Sequence, residues 1–214
     1  MEYGDGLPGL KDFPVLFAQY EWDSLHAAFG WPPDCLDTGF PWIVALEGQF
    51  RAAMEQNEFP PVSLVTEMIL WGGNQNNVLG KFSKHVRAKA YESYISEVID
   101  SLDEPPLALD AAMAIKGFGP TYGSKLLRFC RPRDYGAFDS RIRRAMKGEL
   151  GAPSDYPTTM HKQYSGFLGI LHEYQRGLQT TKVLRPSYGS RAASAAWTAA
   201  EVEMALFAWA SSRS

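Results

Sequence analysis

The sequence predicts an all-α protein of two helical lobes, and three features carry that prediction. Apolar residues recur at helical rather than alternating spacing, as in Ile43, Leu46, Phe50 and Met54. Prolines and glycines then cut the chain into helix-length pieces at Pro60-Pro61, Gly72-Gly73, Pro105-Pro106 and Gly151-Ala152-Pro153. Finally, there is little strand-like alternation and no repeat of solenoid period, short strands in the first forty residues being the one place left open.

Residues 1–41 are rich in proline, glycine and aromatics and read as an irregular arm, with a short helix near 21–29 that Trp31-Pro32-Pro33 stops. The remainder, 42–214, reads as one helical domain. A helix opens at Phe40-Pro41 and runs to about 57, and a buried helix covers 62–71 until Gly72-Gly73 ends it. Val86, Ala90, Tyr94 and Val98 mark a helix over 86–102, after which Asp103-Glu104-Pro105-Pro106 breaks the chain. Residues 107–115 and 121–129 form a pair of helices around a short turn. Asp139 starts a further helix to about 150, and Phe167, Leu168 and Leu171 fall on one over 164–178. Residues 180–190 read as a loop. The last helix opens on a capping box, Thr198-Ala199-Ala200-Glu201, in which side chains and backbone N–H groups satisfy each other.

The turn between the paired helices, Ile115-Lys116-Gly117-Phe118-Gly119-Pro120, is the most informative stretch. Gly117 and Gly119 are both expected to take backbone angles that side-chained residues resist, and Pro120 suits the first turn of a helix. Bare N–H groups at such a turn, backed by the helix dipole, suit a DNA phosphate. Asp139 follows Gly117 by 22 residues, in Tyr135-Gly136-Ala137-Phe138-Asp139-Ser140-Arg141.

Together these residues resemble the helix-hairpin-helix (HhH-GPD) DNA glycosylases, whose signature is a hairpin, a Gly/Pro-rich loop and a catalytic aspartate. Residues 115–145 follow that pattern without a gap, with Arg131-Pro132-Arg133 in the Gly/Pro-rich loop. Asn74-Gln75-Asn76-Asn77 resembles the asparagine-rich loop of the 8-oxoguanine glycosylase branch, which fills the space a flipped base vacates. Glu203-Met204-Ala205-Leu206-Phe207 resembles that branch's late helix, whose aromatic stacks on the extruded base. The resemblance implies a two-lobed fold with the active-site cleft between lobes, and double-stranded DNA carrying a modified base as the partner. It also implies roles. Asp139 is the expected catalytic carboxylate, and Lys125, one turn beyond the nucleophile position, is a second catalytic candidate. Gly117, Gly119, Thr121, Gln75, Asn76, Asn77 and Arg141 are expected on DNA, with Phe207 and Glu203 in the base pocket.

Two positions depart from the family pattern. Bifunctional members carry a lysine four residues after the first hairpin glycine, where this chain has Thr121. A hydroxyl cannot form an imine, so an enzyme that leaves an abasic site is expected, with weak lyase activity through Lys125 as the alternative. Glu203 replaces the glutamine that reads the oxidised guanine. An ionised carboxylate only accepts hydrogen bonds, so it favours a base presenting N–H donors. Either an 8-oxoguanine-like purine or a modified cytosine, including a hypermodified one of phage DNA met in defence, fits that rule. The rival reading is a non-catalytic hairpin module that binds DNA.

Composition sets the remaining expectations. At 214 residues, 45% hydrophobic and 21% charged, the chain affords a sizeable core and reads as soluble and globular. Apolar runs are interrupted, as by Ser63, Thr66 and Glu67, so no membrane span is expected. The start, Met1-Glu2-Tyr3-Gly4-Asp5, is not a signal peptide, and a monomer in the bacterial cytoplasm or nucleoid is the default. Cys35 and Cys130 cannot supply the four thiolates of an iron–sulfur cluster, and the histidines at 26, 85, 161 and 172 lack metal-ligand spacing. No metal or other cofactor is expected. The net charge of −3 hides a segment, 111–150, with nine bases and three acids. A second basic run, Lys81, Lys84, Arg87 and Lys89, contains no acid. Both could neutralise phosphates.

Overall fold

The computed structural model describes residues 6–20, 40–56, 58–87, 91–153 and 156–213. The expected helix at 21–29, the Trp31-Pro32-Pro33 break, Cys35 and Lys89 lie outside the described residues. Within them all regular structure is helical, apart from two isolated bridges, Arg185 with Ser194 and Tyr188 with Arg191. The chain is all-α, as its patterning requires. It divides into two compact units: Met1–Tyr20 with Arg133–Ser214, and Glu21–Pro132.

α1 is Phe13–Ala18, α2 Phe40–Glu55, α3 Val62–Trp71, α4 Val78–Arg87, α5 Tyr91–Asp100 and α6 Pro105–Ala114. α7 is Pro120–Cys130, α8 Ser140–Ala145, α9 Lys147–Leu150, α10 Pro157–Thr180 and α11 Ala199–Ser211. In the Glu21–Pro132 unit, α7 is the central helix, with every residue from Tyr122 to Cys130 buried. α2, α3 and α6 pack on it. Gly123 lets α6 approach closely, since a Cβ there would meet Met113 Cγ at 3.2 Å and Leu109 Cδ1 at 3.3 Å. Arg128, on α7, is fully buried and bonds Glu47 of α2 at 2.8 Å, its guanidinium lying over the Trp71 and Phe129 rings.

In the other unit α11 is the buried element, with α1, α8 and α10 against it. Its capping box forms as expected: Glu201 N–H donates to Thr198 Oγ1 at 3.2 Å, and Thr198 N–H to Glu201 Oε2 at 2.8 Å. Glu201 also receives Arg185 at 3.0 Å and the Tyr188 hydroxyl at 2.8 Å, which pins the 181–198 loop to the helix start.

Several boundaries differ from expectation for identifiable reasons. Pro105-Pro106 and Pro157 lie inside the first turns of α6 and α10, where a missing N–H costs nothing, so both helices begin earlier than expected. Val86 belongs to α4, a helix the sequence reading missed, and α5 begins only at Tyr91. The helix after Asp139 breaks at Met146, with φ −95° and ψ 20°, into α8 and α9.

Candidate functional site

The hairpin turn between α6 and α7 is held from both sides. Phe118 N–H donates to Ile115 O at 2.9 Å, and the Phe118 ring stacks on Phe82 of α4 with centroids 5.9 Å apart. Gly117 has φ +100°, and a Cβ there would lie 2.8 Å from the Lys81 Cβ, so only glycine fits. Gly119 corrects the expectation for it. Its φ of −113° is open to any residue, and a Cβ would meet nothing within 4 Å. The first-turn N–H groups of α7 that follow Pro120 have no partner inside the helix. Thr121 sits half-buried in that turn.

The asparagine-rich loop occupies the same unit. Asn74, Asn76 and Asn77 all take left-handed backbone, with φ of 43°, 56° and 54°, a region asparagine tolerates better than most residues. The bend leaves Gln75, Asn76 and Asn77 exposed in succession, while Asn74 Oδ1 accepts from Leu79 N–H at 2.9 Å. Tyr122 links this loop to the hairpin. Its hydroxyl accepts from Gln75 N–H at 3.0 Å and donates to Gly72 O at 3.0 Å. Lys125 Nζ donates to the same carbonyl at 3.3 Å and lies 5.2 Å from the centroids of both Trp71 and Tyr122. At 3% exposure, Lys125 is an interior cation braced on the loop's start. Gly72 makes room for this arrangement, since a Cβ would sit 2.8 Å from Tyr122 Cε1.

The carboxylate lies in the other unit. Asp139 is the N-cap of α8, with extended backbone, and its Oδ1 accepts from Arg141 N–H at 2.8 Å. Asp139 is buried, at 8% exposure, and among the described residues no donor pairs with Oδ2. One carboxylate oxygen therefore serves as the cap of the helix. Arg141, whose backbone fixes the carboxylate, lays its guanidinium over the Phe207 ring at 5.4 Å and reaches Ser211 Oγ at 3.4 Å. Tyr20 meets Phe207 edge-on at 5.7 Å. Asp139, Arg141 and Phe207 are thus brought together. Glu203 and Phe207 are both buried, one turn apart on α11, and a Cβ on Gly136 would lie 2.9 Å from the Glu203 Cβ, so the loop before Asp139 is pressed onto that helix.

The basic segment 111–150 is less of a surface feature than its composition suggested. Lys125, Arg128 and Arg143 are buried, and Arg131 bonds Asp103 at 2.6 Å. Counting charge along a sequence cannot separate interior cations from exposed ones. Tyr122 was missed altogether, and no spacing rule links it to Gln75, 47 residues earlier. Burial pushes the Cys130 thiol up to about 12, which removes it as a nucleophile. Among the described residues, no group of three or more His, Cys, Asp or Glu side chains is placed to hold a metal ion, and no helix is long and apolar enough to cross a membrane.

Residues 48–207, well over half of the chain, match the family described as "Putative 8-oxoguanine DNA glycosylase OGG-like protein". The chain belongs to this OGG-like family. No curated protein and no solved structure matches it. The OGG-like match takes in the exposed amides at 75–77, the hairpin, Asp139 and Phe207. Membership makes DNA the partner and DNA glycosylase activity the reaction implied by the family's description.

Proposed function

We propose that the protein is a monofunctional DNA glycosylase in which Asp139 drives hydrolysis of the bond between a modified base and its sugar. The observation that carries this reading is the division of labour in the Asp139 carboxylate, one oxygen fixed by Arg141 N–H and the other unpaired among the described residues. As the base departs with the bonding electrons, positive charge builds on the sugar, and a fixed carboxylate stabilises it without reorganising. Water then adds to the sugar carbon, the carboxylate accepts its proton, and an abasic site remains.

Gln75, Asn76 and Asn77 fill the gap, their amides offering donors and acceptors to the orphaned partner base. The hairpin around Gly117 and Gly119, with Thr121, grips phosphate, and Arg141 reaches DNA from beside the carboxylate. Phe207 stacks on the extruded base once the Arg141 guanidinium leaves its face. Glu203, as an acceptor, favours bases with N–H donors, which covers 8-oxoguanine-like purines and modified cytosines, including hypermodified cytosines of viral DNA. Thr121 supports hydrolysis without strand cleavage, and so does the brace that occupies Lys125 Nζ.

The test is a panel of duplexes with single modified bases, treated with the protein and analysed with and without alkali. Breaks appearing only after alkali are expected for at least one base. Asp139→Asn keeps the cap, since asparagine caps as well as aspartate, but loses the charge. Its rate should fall about 10²–10⁴-fold with duplex affinity retained. An unchanged rate removes Asp139 from the chemistry, and loss of binding instead favours a non-catalytic hairpin module. Breaks without alkali would overturn the monofunctional reading.

A further inference from the structure

We infer that the outward face of α4 is a phosphate-binding surface for duplex DNA, continuous with the flank of the hairpin turn. This rests on the reading of the protein as a DNA enzyme and names the surface that holds the duplex beside the exposed amides.

α4 contains no acid. Val78, Phe82 and His85 are buried on its inner side, while Lys81, Lys84 and Arg87 are exposed. At three-residue steps these cations fan across about 120° of the helix circumference. None of the three pairs with an acid among the described residues. The helix dipole accounts for cations in the last turn, Lys84 and Arg87, but not for Lys81 in the middle. A face built only for solubility would interleave both signs. This face has one.

Its position supplies the occupant. The helix begins where the exposed amides 75–77 end. The hairpin packs against its middle, with Gly117 on Lys81 and Phe118 on Phe82. Lys116, also exposed, adds a fourth cation on the hairpin side. Burial, together with the Lys116 charge, holds the His85 imidazole below the ordinary histidine range. Unneutralised cations beside bare hairpin N–H groups match a polyanion with regularly spaced charges. An acidic patch on a folded protein would need the apolar anchors that this face lacks.

The experiment measures binding of the full chain to an unmodified duplex over a range of salt concentrations. Lys81→Gln, Lys84→Gln and Arg87→Gln should each make the slope of log affinity against log salt shallower by about 0.9. Lys162→Gln, an exposed lysine on α10, should leave the slope unchanged. Lys81→Arg should restore the slope lost in Lys81→Gln, which separates charge from misfolding. An unaltered slope in the triple variant, or an equal change in Lys162→Gln, overturns the proposal. Binding to unmodified duplex needs no base release, so a wild-type protein that excises nothing from the panel would sink the proposed reaction and leave these slopes standing.

Discussion

The Tyr122 hydroxyl joins two stretches of chain with one oxygen. It takes a hydrogen bond from the backbone that carries Gln75 and gives one to the carbonyl that Lys125 also uses. The loop it holds has left-handed backbone at Asn74, Asn76 and Asn77, a conformation that persists only when its surroundings fix it. Tyr122→Phe retains the ring beside Lys125 and Phe118 and removes these two bonds. At about 1 kcal/mol each, their loss should lower stability by about 1–2 kcal/mol in a denaturant titration. A structural role ends there. If Tyr122 positions the amides, the variant should also slow the fluorescence rise of 2-aminopurine placed beside a modified base, with affinity for unmodified duplex unaltered. A wild-type rise in a destabilised variant would reduce Tyr122 to a scaffold residue.

At the scale of elements, the hairpin separates two glycines that the sequence presents as equals. Gly117→Ala forces a side chain into φ +100° and against Lys81, and should cost about 1–3 kcal/mol by thermal denaturation. Gly119→Ala meets open space at an ordinary φ and should change stability by less than about 0.5 kcal/mol. If the proposed phosphate occupies that open space, the added methyl group stands in its way and duplex affinity should fall in a fold that is intact. Equal stability losses in the two variants would refute this distinction. The contrast also marks what was legible in the chain. α3 and the α11 capping box were readable because turn residues and caps act on their immediate neighbours. α4 was missed although Val78, Leu79, Phe82 and Val86 recur at helical spacing, because Val86 also fits the apolar spacing of Ala90, Tyr94 and Val98 that follows. The hairpin and Asp139 stood out by spacing. The Tyr122 bridge and the burial of Arg128 depend on contacts between distant segments, which local patterns do not encode.

Across the whole molecule, the chain closes one unit with residues from both of its ends. The family match begins at residue 48, yet α1 supplies Phe13 and Phe17, both essentially inaccessible, to the unit that bears Asp139. Phe13 lies 4.5 Å from the Tyr174 ring and 6.0 Å from Trp197. Phe17 lies 5.0 Å from Tyr188 and 5.6 Å from Trp197, and Tyr174 donates to Pro8 O at 2.8 Å. A merely decorative arm would have no reason to bury two phenylalanines on the helix that carries Glu203 and Phe207. Phe13→Ala and Phe17→Ala should therefore each cost about 3–5 kcal/mol, the usual range for emptying a phenylalanine site in a core. Against a total stability of about 5–15 kcal/mol, either loss is large, and the denaturation midpoint should drop steeply. Val15→Ala, on the exposed side of the same helix, is the control and should move the midpoint little. If all three variants unfold together with the wild type, α1 is an accessory and the Asp139 unit is complete without it.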